Sequence, residues 1–278
     1  MFLMRVHDVE RITMEIGFTA GPRPVEEYFK FAADSGFKRL DLGCSAPDNF
    51  PHTFSDERIK AVKAQGKRWG IKYGLHTASY VNTAEIMPDV REASERHLLN
   101  YINLSKRIGA EYCVIHCGYH FSQFSETVME SLFKTFTAAT ELAEELRLPL
   151  VIENMNRVHP DSEIVYLGVT VDELRLVFEA VPSKMLGLAL DVAHANLLPG
   201  GTQSWIDAFP DKIFHLHLSD NDGVLDRHLP IGDGSIDFGA VFSQLDEIGF
   251  KGTATLEVGS EENSARSLKR LRKILGEA

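Results

Sequence analysis

The sequence predicts a single (β/α)8 barrel. Two observations carry that reading: short apolar runs alternate eight times with longer amphipathic runs, and no boundary interrupts the alternation. Length is the third: 278 residues suit one closed barrel, a fold of about 250 residues, with modest extensions.

Residues 12–18 read as the first strand and 24–35 as its helix, with Pro24 early, where its missing N–H costs little. The second unit is 38–43 and 55–68, the third 71–76 and 89–108. In that third helix Leu98, Leu99, Ile102 and Ile108 recur at near-helical spacing. The fourth unit is 112–117 and 126–146. The fifth strand, 150–153, follows Pro149, and its helix, running to Val181, opens on Thr170-Val171-Asp172-Glu173. That is a capping-box pattern, in which hydroxyl and carboxylate satisfy otherwise orphaned N–H groups. The last three units are 185–191 and 204–209, 212–218 and 238–248, and 253–258 and 260–275. Repeated strand–helix order implies parallel strands joined by right-handed crossovers. An open doubly wound sheet has the same order, but eight units at this length favour closure. No Ser/Gly linker, low-complexity tract or composition shift divides the chain, so 1–278 reads as one domain; residues 1–10 read as a leader strand or an extension.

Hydrophobic residues make up 44% and the formal net charge is −11, which disfavours nonspecific binding to nucleic acid or anionic membrane. Three cysteines, Cys44, Cys113 and Cys117, form no disulfide framework and point to a reducing compartment. The opening Met1-Phe2-Leu3-Met4-Arg5 is too short for a signal-peptide core, and no run reaches the ~18 apolar residues of a membrane span. The expected location is cytoplasmic.

Ligand-capable side chains fall at the strand ends. His76, His116, Glu153, Asp191, His217 and Glu257 finish the third to eighth strands, in order. In a parallel barrel those ends converge on the face where barrel active sites sit. Alternation adds a second check: Gly74, Val114, Val151, Ala189 and Thr255 lie two residues below a ligand, on its face. One polar strand terminus means little. Six converging on one axis would be costly to bury unless cations or hydrogen bonds satisfied them. A mixed His/carboxylate set suits Zn, Mn, Fe or Co better than Mg. His194 follows the sixth strand closely, and Asp226 and His228 sit in the long loop after the seventh, so they join the candidates. His7, His52, His97, His120 and His159 read as ordinary residues, and His215 as packing or support beneath His217.

These residues resemble the xylose isomerase-like TIM barrels, the superfamily of sugar isomerases and epimerases and of endonuclease IV. The most specific segments are Val151-Ile152-Glu153-Asn154, Leu190-Asp191-Val192-Ala193-His194, His215-Leu216-His217-Leu218-Ser219-Asp220-Asn221, Leu256-Glu257, and the run from Asp226-Arg227-His228 to Asp237-Phe238. The resemblance runs from Met14-Glu15-Ile16-Gly17 to the final helix. Sugar isomerases and epimerases hold one metal with four residues, which map onto Glu153, Asp191, His217 and Glu257. Endonuclease IV-like members hold three zinc ions with nine, which map onto those four plus His76, His116, His194, Asp226 and His228.

The resemblance implies one to three divalent ions and two chemistries. In a metal-dependent isomerase or epimerase, Glu153 and Glu257 would exchange a proton beside a carbonyl, while His194 and Arg227 orient substrate oxygens. In an endonuclease IV-like enzyme the same mouth would hydrolyse a phosphodiester. The expected catalytic-face loops hold three Arg (Arg23, Arg157, Arg227), no Lys and nine acids, whereas a DNA groove needs several cations. That count favours a small carbohydrate-like substrate. A lyase or dehydratase needs the same metal and base, and a non-catalytic binder has little use for so many acid/base groups. Homo-oligomerisation is left open, with Trp69 and Trp205 as candidates for a contact or for packing.

Overall fold

The computed structural model describes residues 14–121, 125–157 and 161–277. Eight parallel strands close into a barrel. They are β1 (Ile16–Ala20), β2 (Arg39–Gly43), β3 (Lys72–His76), β4 (Cys113–Ile115), β5 (Leu150–Glu153), β6 (Leu186–Asp191), β7 (Ile213–Leu218) and β8 (Thr253–Leu256). Each pairs with its neighbours in chain order, and β8 closes the ring on β1, with Leu256 opposite Phe18. Closure leaves no barrel strand with an unpaired edge.

The helices are α1 (Tyr28–Asp34), α2 (Asp56–Trp69), α3 (Pro88–Ile108), α4 (Ser125–Leu146), α5 (Val171–Ala180), α6 (Val192–Asn196), α7 (Gly201–Ala208), α8 (Phe238–Glu247) and α9 (Glu261–Leu275). Their starts follow local chemistry. Ser55, Thr170, Asp237 and Ser260 each accept a backbone N–H at a helix entrance, and Thr170 with Glu173 completes the capping box. On α3, Leu98, Tyr101, Ile102, Leu104, Ser105 and Ile108 form the buried stripe that presses on the barrel.

Three differences from the sequence expectation bear on the barrel mouth. The first strand is Ile16–Ala20, two residues longer at its end, because Thr19 and Ala20 continue the ladder to Asp41 and Leu42 of β2. Residues 12 and 13 of the expected strand lie outside the described residues. The sixth unit carries two helices instead of one, since Asp191 caps the extra short helix α6 itself. The loops after β4 and β5 pair as a two-residue antiparallel ribbon, Tyr119–His120 with Val165–Tyr166, which places Tyr166 over the barrel mouth.

Most of the apolar core lies between barrel and helices, around residues such as Phe29, Leu40, Ile102, Phe136 and Trp205. Each such side chain contributes roughly 1.5–3 kcal/mol. Trp69 also packs against this core and donates to Gln65, so both tryptophans are used within the molecule. All three thiols are buried, and burial pushes Cys113 up to about 12. Inside the barrel the apolar cluster is small: Tyr112, Val114, Val151 and Ala189. The rest of the interior is polar. Arg39 forms its floor, buried at 1% exposure and paired with Glu15 (2.9 Å) and Glu111 (2.7 Å). No described helix is long and apolar enough to cross a membrane.

Candidate metal centre

Parallel strands deliver their last side chains to one mouth. His76, Glu153 and Asp191 are the final residues of β3, β5 and β6. His116 and Glu257 stand one residue beyond β4 and β8, and His217 one before the end of β7. Register aligns them laterally: Asp191 is opposite His217, and His217 opposite Thr255. His194 arrives through α6, where Asp191 Oδ1 accepts the His194 backbone N–H at 2.7 Å. Asp226 and His228 come from the loop after β7, which Asp220 folds. Asp220 accepts N–H groups from Asn221, Gly232, Gly234 and Ile236. His228 itself sits at φ 45°, a left-handed conformation that non-glycine residues seldom adopt and that recurs at functional sites.

Glu153 is the hub. Its Oε2 lies 2.9 Å from His116 Nε2 and 3.2 Å from His76 Nε2. Its Oε1 lies 3.3 Å from His217 Nδ1 and 3.6 Å from His194 Nδ1. Glu257 Oε1 is 3.6 Å from His76 Nε2 and 3.8 Å from His217 Nδ1. Asp226 Oδ2 is 3.2 Å from both His194 Nε2 and His228 Nε2. Candidate ligand atoms fall within 4.8 Å of one another in the groups His76/Glu153/His217/Glu257, Glu153/Asp191/His194 and His194/Asp226/His228, and below them in Asp41/His215/His217, whose atoms already hydrogen-bond to one another.

Outer contacts orient the rings. The Nδ1 of His76 donates to Thr77 O (3.0 Å), that of His194 to Asn154 O (2.8 Å) and that of His228 to Glu257 O (2.8 Å). His116 Nδ1 meets Thr77 Oγ1 at 3.2 Å. Each of these four rings therefore turns Nε2 inward. Electrostatics match. Burial opposes the His194 imidazolium, but Asp191, Asp226 and Glu153 outweigh it and raise its pKa to about 10. His228 rises to about 10 against burial, through Asp226 and Glu257. Burial, reinforced by Glu153 and Glu257, lifts Asp191 to about 6 despite His194. Burial disfavours the Glu153 anion too, yet His217, His116 and His76 hold its carboxyl well below the ordinary range.

The residues fit divalent metal. Asp191 Oδ2, His217 Nδ1 and Asp226 Oδ1 are buried without a hydrogen-bond partner, and all three belong to these clusters. An unsatisfied buried polar atom costs about 1–3 kcal/mol. Cations would satisfy all three atoms, and a mixed imidazole and carboxylate set is borderline-metal chemistry.

A family model described as xylose isomerase-like TIM barrel matches residues 29–274. The chain belongs to that family. Among its relatives, the fructoselysine 3-epimerase of Shigella flexneri is 24% identical over 250 residues, covering 87% of this chain and 88% of the relative. A probable endonuclease 4 of Thermoplasma acidophilum is 23% identical over 227 residues, covering 77% and 75%. The solved structure of a D-tagatose 3-epimerase-like protein superposes with a TM-score of 0.82 at 25% identity, covering 95% of this chain and 97% of that one.

Within this xylose isomerase-like barrel, one expected site residue stands apart. Arg227 is half exposed, and its Nε donates to Asp222 at 2.8 Å. Asp226 and His228 face inward, so Arg227 between them faces out. It does not line the cavity of ≈ 360 Å³ formed by His76, Ser79, His116, Glu153, Met155, Asn156, Tyr166, His194, Asp226, His228 and Glu257. Sequence reasoning missed Asp41, which bonds His217 from below, and Asn154, whose amide clamps the backbone of Asp191. Asp41 had a signal: a carboxylate in mid-strand, between Leu40 and Leu42, on the inward face. His215 lies under His217, bonded to Asp41. His97 packs its ring on Tyr101, and His120 belongs to the ribbon. His7 and His159 lie outside the described residues.

Proposed function

We propose that the protein is a metal-dependent isomerase or epimerase of a sugar or sugar-like keto/hydroxy compound, acting by proton transfer beside a carbonyl. The observation that carries this is the placement of two carboxylates, Glu153 at the end of β5 and Glu257 just beyond β8, around one cavity. They approach the same pair of imidazoles, His76 and His217, from different strands. Exchange of a proton between two faces of one carbon needs an acid/base group on each side. The cavity lined by both carboxylates, ≈ 360 Å³, adjoins one of ≈ 500 Å³ through His76, His228 and Glu257, and that space suits a small molecule.

Glu153, Asp191, His217 and Glu257 would hold the central metal, with His76 and His116 beside Glu153, and His194, Asp226 and His228 forming a further cluster. A divalent cation there supplies positive charge that polarises a carbonyl and acidifies the adjacent C–H. Glu257 is already oriented: Thr19 Oγ1 donates to its Oε1 at 2.9 Å, which leaves Oε2 for a proton. Asn156, Ser79 and Tyr166 offer hydrogen bonds to substrate hydroxyls, and Met155 adds an apolar side to the cavity. The relatives' names support this reading: a 3-epimerase among the curated relatives and a 3-epimerase-like solved structure.

A second reading, zinc-dependent phosphodiester hydrolysis, is favoured by the eight residues of the ligand groups at the mouth with His116 beside Glu153, and by the endonuclease 4 relative. The rim charges oppose it. Arg23 pairs with Glu261 (3.0 Å) and Arg227 with Asp222 (2.8 Å), so two of the three rim cations already have an acid beside them, which weakens their pull on a nucleic-acid backbone. The deciding experiment loads the protein with Zn, Mn, Fe or Co, counts metal per chain, and incubates it with ketoses and aldoses in deuterium oxide. Deuterium should enter at the carbon beside the carbonyl. Absence of exchange across the panel, together with cleavage of an abasic-site oligonucleotide, would replace the first reading by the second.

A further inference from the structure

Below the mouth, the barrel axis is filled by a buried polar column. On β2, Arg39, Asp41 and Gly43 share the inward face. Asp41 is fully buried and receives four donors. Thr255 Oγ1 lies at 3.0 Å, His215 Nε2 at 3.2 Å and His217 Nε2 at 3.3 Å, and the Tyr112 hydroxyl donates to the other oxygen. The Tyr112 ring reaches the axis because Gly74 has no side chain; a Cβ there would collide with the ring. His215 lies against that ring, centroids 4.6 Å apart, and its Nδ1 meets Thr253 Oγ1 at 2.8 Å. Two of the carboxylate's neighbours, Tyr112 and His215, are thus themselves held in place.

His217 is the odd member of the centre. The other four rings face inward through Nε2, with Nδ1 tied to a backbone carbonyl or to Thr77. His217 is reversed: Nε2 points down to Asp41, and Nδ1 points at Glu153 and Glu257 without a hydrogen bond of its own. We infer that Asp41 is a positioning residue of the metal centre, holding His217 as the Nε2–H donor and so committing Nδ1 as its ligand atom. A carboxylate accepts only, so it can pair with an N–H and never with a bare ring nitrogen. An amide in its place would present N–H to one of four donors and remove the charge that holds the imidazole proton. Partners that orient a ligating histidine typically contribute 10–100-fold in metal affinity.

The inference rests on metal binding at this mouth, not on which reaction follows. Two measurements test it. In wild-type protein carrying isotope-labelled imidazole nitrogens and loaded with cadmium, NMR coupling should show His217 ligated through Nδ1 with Nε2 protonated. Ligation of His217 through Nε2, or its absence from the ligand set, overturns the inference. Isothermal titration with zinc should show Asp41→Asn binding about 10–100-fold more weakly than wild type. Ile108→Ala, a core change at the C-terminal end of α3, on the side of the barrel away from the mouth, should keep wild-type affinity and controls for lost stability. Undiminished zinc affinity in folded Asp41→Asn overturns the inference, and if that variant does not fold the NMR result decides alone. Failure of wild-type protein to bind either ion would instead remove the metal reading itself.

Discussion

Glu153 concentrates the chemistry of the site, since four imidazoles approach its two oxygens. Glu153→Gln keeps the shape and removes both the base and the anion. Turnover should fall at least about a hundredfold, with an unchanged circular dichroism spectrum. A folded variant with full activity would remove Glu153 from the mechanism. His194 and His228 report on metal through pH. Both have pKa values near 10 against the ordinary 6.5, so their imidazolium forms favour the fold. That stability is fully present below pH 6.5 and is lost as pH rises through about 10. Thermal melts of chelator-treated protein should therefore drop across that window. A cation must displace the same protons, so zinc affinity should strengthen with rising pH and binding should release protons. Titration in buffers of different ionisation enthalpy measures the release; none at neutral pH would contradict the assignment.

At the scale of elements, two positions show how local chemistry and tertiary packing divide the work. Thr170 opens α5 by rules readable in four residues, and Thr170→Ala should cost about 1 kcal/mol in denaturant unfolding. Gly74 looks like a weak point in a strand. In the barrel it is the space the Tyr112 ring occupies, so Gly74→Ala should cost about 1–3 kcal/mol or more. A neutral Gly74→Ala would mean that the ring moves freely. The same division explains the missed elements. The ribbon of Tyr119–His120 with Val165–Tyr166 joins two loops 45 residues apart in sequence, and neither half has a strand pattern of its own. Helix α6 is a single turn capped by Asp191, whose Oδ1 takes the backbone N–H while Oδ2 is left without a partner.

For the whole molecule, the centre spans strands from β3 to β8 plus two loops, so metal should tie together segments far apart in the chain. Ligand binding to the native state alone stabilises by about 2.7 kcal/mol at a hundredfold excess over Kd. Removing metal with a chelator should lower the melting temperature by several degrees, and adding zinc or manganese should restore it. An unchanged melt would mean that the clusters bind no ion. The acidic rim, with Arg23 and Arg227 already paired to acids, predicts weak, nonspecific affinity at most for duplex DNA, measurable by fluorescence anisotropy.

The sequence alone makes legible the barrel, the six strand-end residues that gather at its mouth and, from the loops, His194, Asp226 and His228 as candidates beside them. Strand–helix alternation and period-2 side-chain direction are local properties, and parallel closure turns strand-end positions into spatial neighbours. It did not determine which ring nitrogen each histidine offers, the outward turn of Arg227, or the role of Asp41. Those follow from contacts between residues as distant as Asp41 and His217, which no local pattern encodes and only the packed interior of the closed barrel brings together.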